Sequence, residues 1–179
     1  MPNSKLKHHA EISFAYSSTI QMTLTIRLAV PTDAPTVLRF IRGLAEYERS
    51  LDSVKVSAAE LRTQMESDDP PFECLLAEYE SEPVGFALFF RNYSTWTGRC
   101  GLYLEDLFVR EEYRGRGIGG ALMRRLQELT IERGWVRMDW AVLNWNTNAQ
   151  SFYREQGAYP LEKWTVWRLD NPTTRQGKS

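Results

Sequence analysis

Glu105 and Asp106 sit side by side inside an otherwise apolar run, Leu102 to Val109, where strand alternation sets neighbours on opposite faces. After the turn Arg110-Glu111-Glu112, the segment Arg114-Gly115-Arg116-Gly117-Ile118-Gly119-Gly120 places four glycines in six positions. A helical pattern, Ala121 to Arg133, follows directly. Such a loop lets backbone N–H groups approach an anion closely, and the helix start adds partial positive charge. Arg114 and Arg116 suit a phosphate-rich ligand, because a guanidinium binds phosphate bidentately. Pyrophosphate is the expected guest, although a glycine cluster also serves as a plain tight connection. The spacing is not that of G-x-G-x-x-G, and no Gly-Lys-Ser/Thr follows, so neither a dinucleotide fingerprint nor a P-loop is present.

The second feature is the run Asn144-Trp145-Asn146-Thr147-Asn148-Ala149-Gln150-Ser151-Phe152-Tyr153. Tyr153 has two readings, a core aromatic or a phenol of pKa about 10 able to give up a proton. The asparagines read equally well as helix caps, and Phe152 is expected to be the more buried of the aromatic pair. A phosphate-gripping loop, a carboxylate-bearing strand and a helix with a tyrosine are three parts that acyl transfer from a thioester requires.

The elements that must position these groups follow from periodicity and punctuation. Thr23 to Val30 is predicted as a first strand. Thr32-Asp33 caps a helix with Pro35 in its first turn, and Val37, Leu38, Ile41, Leu44 and Ala45 form its buried face. Ser57 and Glu60 make a capping box for a second, short helix ended by Asp68-Asp69-Pro70-Pro71. Strands at Phe72 to Glu80 and Val84 to Tyr93 are joined by Ser81-Glu82-Pro83. The helix after the glycine loop buries Ile118, Leu122, Leu126 and Leu129, with Gly134 as its C′ residue. Trp135 to Leu143 is predicted as the fifth strand, Asn146 to Gln156 as a helix closed by Gly157, and Lys163 to Leu169 as a last strand. The resulting order, β-α-α-β-β-β-α-β-α-β, implies a mixed α/β sheet rather than a doubly wound one.

Composition sets the outer bounds. The chain has 179 residues, 42% of them hydrophobic, enough for one core, so one domain (residues 22–170) is expected. Residues 1–21 form an extension of different character, with Met22 an alternative start, and residues 171–179 a polar tail. Lys+Arg 22 against Asp+Glu 23 gives net charge −1, which removes the electrostatic case for nucleic acid or an anionic membrane. Cys74 and Cys100 are expected to be free thiols in a cytoplasmic protein. The adjacent His8 and His9 lack the further ligands a metal site needs, so no metal is expected.

The ordered set Leu102-Tyr103-Leu104-Glu105-Asp106, Tyr113-Arg114-Gly115 with Gly117-Ile118-Gly119, and Trp145-Asn146 with Phe152-Tyr153 resembles the diamine (spermidine/spermine) acetyltransferases of the GCN5-related N-acetyltransferase (GNAT) superfamily. The resemblance extends from about Thr25 to about Leu169. It implies the GNAT fold, a mixed and mostly antiparallel central sheet flanked by helices on both faces, and acetyl-CoA as donor. It assigns strand backbone at Leu107, Phe108 and Val109 to the pantetheine arm. Arg114 and Gly115 through Gly120, including Arg116 and Ile118, would wrap the pyrophosphate, with Asn146 and Ala149 further along the cofactor. Tyr153 would return a proton to the departing thiolate, and Glu105, helped by Asp106, would take one from the acceptor amine. Tyr47, Glu48 and Trp96 would line the acceptor site with them. A homodimer is implied, with the acceptor pocket near the subunit interface. An alkylamine of pKa about 10.4 must lose its proton before it attacks, which is why a carboxylate is wanted there.

The turn Tyr93-Ser94-Thr95-Trp96-Thr97-Gly98-Arg99 carries serine where the polyamine-preferring branch carries an acid. That turn and Ala141 to Asn146 (AVLNWN) are more similar to the thialysine N-acetyltransferase branch. The implied acceptor is a small primary amine, thialysine-like first and a diamine second. A peptide acetyltransferase on the same fold and a non-catalytic acetyl-CoA-binding regulator are the rival readings.

Overall fold

The five strands and four helices of the computed structural model, which describes residues 23–171, follow from where apolar residues alternate and where they recur at helical spacing. The extension, with His8 and His9, and the tail after Asn171 lie outside the described residues. Strands β1 (Leu24–Leu28), β2 (Glu73–Tyr79), β3 (Glu82–Ser94), β4 (Arg99–Val109) and β5 (Met138–Asp139) form one sheet in sequence order. The first three pairings are antiparallel, and β4 with β5 is parallel. Helices α1 (Ala34–Tyr47) and α2 (Ala58–Met65) cover one face, while α3 (Ile118–Glu132) covers the other. Helix α4 (Thr147–Glu155) packs its Phe152 and Tyr153 onto the α3 side. This is the expected mixed, mostly antiparallel sheet.

Two cores result from strand alternation. Leu75, Ala77, Ala87, Phe89, Leu102 and Leu104 meet Leu122, Met123 and Leu126 of α3 on one face. Cys74, Leu76, Phe86 and Leu88 meet Val37, Phe40 and Leu61 on the other. The α2 cap forms as predicted, since Ser57 Oγ accepts from Glu60 N while Glu60 Oε2 accepts from Ser57 N. Gly134 and Gly157, at φ +64° and +85°, close α3 and α4 in the left-handed conformation expected of C′ residues. Asp33 stands at the N-cap of α1 as expected, but its side chain makes no cap hydrogen bond to that helix. Its carboxylate accepts from Val30 N at 2.8 Å and from Arg27, which holds its pKa below the usual carboxylate value.

Several boundaries differ from the sequence reading, among them the start of α3, which is Ile118 and not Ala121. The β2–β3 turn is Glu80-Ser81, both at positive φ, and not Ser81-Glu82-Pro83. The predicted strand Trp135 to Leu143 pairs only at Leu102↔Met138 and Tyr103↔Asp139, after which β4 and β5 part. Lys163 to Leu169 forms no ladder among the described residues, because two residues of β5 offer too short an edge to template another strand. Trp164 instead packs against Trp96, with ring centroids 5.9 Å apart.

Candidate active site

Everything at the site turns on a bulge. In the β3/β4 ladder Leu88 pairs with Asp106 and Phe89 with Leu104, so Glu105 is an extra, unpaired residue. The insertion inverts the alternation of β4. Leu102 and Leu104 face α3, whereas Asp106 and Phe108 face α1, and Leu107 and Val109 return to the α3 side. Phe108 seats against α1 so closely that a Cβ on Gly43 would lie 3.0 Å from its Cζ. Asp106 is thereby turned from the α3 face to the α1 face, half-buried beside the end of α1, while Glu105 stays exposed on the bulge.

Burial, then the neighbouring charges of Glu105 and Glu48, push the Asp106 carboxyl up to about 6. Burial also raises Glu48, the residue just after α1. The Tyr153 phenol is pushed up to about 12 by burial first and by Glu48 and Asp106 next. Tyr153, Glu48 and Asp106 thus feel one another's charge, and Tyr153 lies on the chain beyond the point where β4 and β5 have parted. Tyr153 is held there by Trp140 and Phe152, whose ring centroids stand 5.0 and 5.2 Å from its own. Phe152 and Tyr153 are both half-buried, so the expected contrast between them does not appear.

The glycine loop lies next to this cluster. A Cβ on Gly119 would sit 3.3 Å from Phe152 Cζ, so α4 rests on the first turn of α3. Gly115 and Gly117 adopt φ +73° and +78° with open space where a Cβ would go. Gly117 is the N-cap residue of α3 and contributes no side-chain cap. The N–H groups of Ile118, Gly119 and Gly120 therefore have no intrahelical acceptor, and none donates elsewhere among the described residues. A cradle of free N–H groups at a helix N-terminus fits the diphosphate of a coenzyme A ester. Ile118 supplies only backbone, since its side chain is buried in the core.

The two arginines of the loop turn opposite ways. Arg114 donates from Nε to Val109 O at 2.9 Å and lies over the rings of Tyr47 and Phe108. Arg116 lies over Tyr79 and Tyr113 and donates to Glu112 O, on the side away from α4. Tyr47 donates to Asn146 Oδ1 at 3.3 Å, and the same oxygen accepts from Ala149 N at 3.1 Å. Asn146 is thus the cap of α4, the plainer of its two readings.

Within one chain Trp96 does not join this group. It stands 83% exposed in the β3–β4 turn. The strand steps from Arg99 to Asp106, at ~3.3 Å each, put it roughly 23 Å away. Ser94 is buried, with Oγ accepting from Arg137 Nη1 at 3.2 Å, so it faces the sheet end rather than an acceptor. What sequence reasoning missed is the bulge: Glu105 is not glycine, and nothing in LYLEDLFV marks an extra residue. The only available signal was two adjacent carboxylates where alternation would bury one of them.

A five-stranded mixed sheet that parts beside a glycine-led helix defines an α/β acyl-transfer scaffold, and comparison with known proteins agrees. Residues 40–158 match the acetyltransferase (GNAT) family. The chain is 39% identical over 162 residues to a thialysine N-epsilon-acetyltransferase of Bos taurus, covering 84% of this chain and 95% of that protein. It is 36% identical over 151 residues to a human spermidine/spermine N(1)-acetyltransferase-like protein 1, covering 80% of this chain but 22% of that one. A solved aminoglycoside acetyltransferase from an uncultured soil metagenomic sample superposes with a TM-score of 0.68 at 24% identity, over 84% of this chain and 99% of its own, a likeness of fold alone. The chain belongs to the GNAT family of acetyltransferases, for which acetyl-CoA is the cosubstrate. The free N–H groups and open glycine positions fit that cosubstrate.

Proposed function

We propose that this enzyme acetylates the primary amine of a small acceptor by direct attack, with a thialysine-like aminoethyl amino acid preferred and a diamine second. The observation that carries the reading is that α4, which bears Tyr153 packed on Trp140, rests on the open glycine turn of α3, while the β4 bulge turns the half-buried Asp106 toward α1. The names of the relatives at 36–39% identity point to the same acceptor class.

Bound acetyl-CoA supplies the activated acetyl group and a thiolate that must be protonated on leaving. The backbone N–H groups of Ile118, Gly119 and Gly120 and the Arg114 side chain grip its diphosphate, and the open edge of β4 at Leu107, Phe108 and Val109 orients the arm leading to the thioester. Asp106 and Glu48, both desolvated, draw the acceptor ammonium inward. Glu105, exposed on the bulge, passes the amine proton to solvent, directly or through water. Tyr153 holds its hydroxyl proton throughout the neutral range and delivers it to sulfur. Neither cysteine is needed, since direct attack forms no covalent enzyme intermediate, and Cys74 is buried with its thiol pushed far up. The enzyme acts as a cytoplasmic homodimer, a reading supported by the two free thiols and by exposed apolar side chains at Trp164, Val166, Trp167 and Leu169.

Thiol release from acetyl-CoA with thialysine, lysine, putrescine, spermidine and a peptide tests the assignment. Fastest turnover with thialysine is expected. Turnover with the peptide alone overturns the small-amine reading, and none with any amine makes the chain a binding protein. Tyr153→Phe should keep acetyl-CoA affinity and lower kcat by roughly 10²-fold or more. Full activity of that variant removes Tyr153 from the mechanism.

A further inference from the structure

Resting on the acetyl-CoA reading, we infer that Tyr47 is a positioning residue of the cofactor grip, holding Arg114 aimed at the diphosphate, rather than a wall of the acceptor pocket. Arg27, Arg110, Arg125, Arg133 and Arg137 each pair with a carboxylate. Arg114 has no such partner among the described residues. Its Nε is tied to Val109 O, the Tyr47 ring lies 5.0 Å from its guanidinium carbon, and the Phe108 ring lies 5.7 Å from it. Two aromatic neighbours and one hydrogen bond fix the plane, which leaves the Nη edge to meet an anion.

Tyr47 itself is fixed from the far side of the site. Its hydroxyl donates to the Asn146 oxygen that caps α4, and its ring packs 6.0 Å from that of Trp145. The last residue of α1 therefore joins the loop arginine to the start of the helix bearing Tyr153. A flexible arginine loses rotamer freedom when it binds phosphate, and a pre-stacked one has already lost it. Tyr47 accordingly sets affinity for the phosphate end of the cosubstrate, while Glu48, the next residue, serves the acceptor end.

The test is a double-mutant cycle read by calorimetric titration of the full-length protein with free coenzyme A. Tyr47→Ala should weaken coenzyme A binding about 3- to 30-fold, the range of a partly desolvated cation–π contact. Tyr47→Phe, which keeps the ring, should stay within about twofold of wild type. In an Arg114→Ala background, Tyr47→Ala should produce no further weakening, and in steady state the acetyl-CoA KM should rise with the amine KM unchanged. Additive losses in the double mutant, or an amine KM that rises while coenzyme A affinity holds, overturn the inference. A merely misfolded Tyr47→Ala would also weaken the Arg114→Ala protein, so the cycle distinguishes damage from coupling. Failure of the wild-type protein to bind coenzyme A would instead bring down the acetyltransferase reading beneath it.

Discussion

Asp106→Asn should make the protein more stable and less active at once, and the size of the gain can be worked from its surroundings. Folding raises this carboxyl from 3.8 to about 6, chiefly by burial. A group whose folded pKa is raised binds more protons in the native state, so its stabilising contribution is complete below the unfolded pKa and is lost as pH rises through the folded one. Integrating between those pKa values, the raised pKa of Asp106 costs about 1 kcal/mol at about pH 4.5 and about 3 kcal/mol at about pH 7.5. Asparagine has nearly the same shape and no charge to desolvate. Its advantage over the wild type should therefore grow by about 2 kcal/mol between those two pH values, which in a chain of this length is roughly 4–8 °C in Tm. Paired thermal and urea melts of both proteins at the two pH values, each normalised to its own transition, measure the difference. Full cost requires that Asp106 stay half-buried beside Glu48 and Glu105. An advantage that does not change with pH, or a variant less stable than the wild type at neutral pH, refutes the claim that the bulge carries this carboxylate into a dry site. The activity assay on the same samples should show the opposite sign, because the variant can no longer attract an ammonium.

Glu105→Gln should flatten the alkaline rise in turnover while leaving Tm nearly unchanged, since the side chain is exposed; an unaltered pH–rate profile removes Glu105 from proton transfer. Gly85→Ala should destabilise the fold by about 1–3 kcal/mol, because the new Cβ would lie 2.8 Å from the Phe108 backbone oxygen, and denaturant melts showing no loss would mean that β3 and β4 can shift.

Much of the scaffold was legible because its causes are local. The apolar spacing of α3, the Ser57 and Glu60 cap, and the glycines that end α3 and α4 all act within a few residues, and each stands where periodicity and capping place it. Strand ends were less legible because pairing needs a partner. Trp135 to Leu143 has a strand-like pattern throughout, but only Val136 to Asp139 reach β4 before the strands separate. Lys163 to Leu169 is equally strand-like and joins no strand among the described residues.

The residue types for acyl transfer, a glycine cradle, paired carboxylates and a tyrosine, were present in the order of the chain, as was the resemblance that linked them. Which carboxylate is half-buried, which arginine stacks beside Tyr47 and Phe108, and that Tyr47 reaches across to Asn146 were decided only by the folded chain. A single extra residue in one strand reverses every side chain beyond it, and that reversal arises from register against β3, a contact between segments some twenty residues apart that no short window of sequence contains.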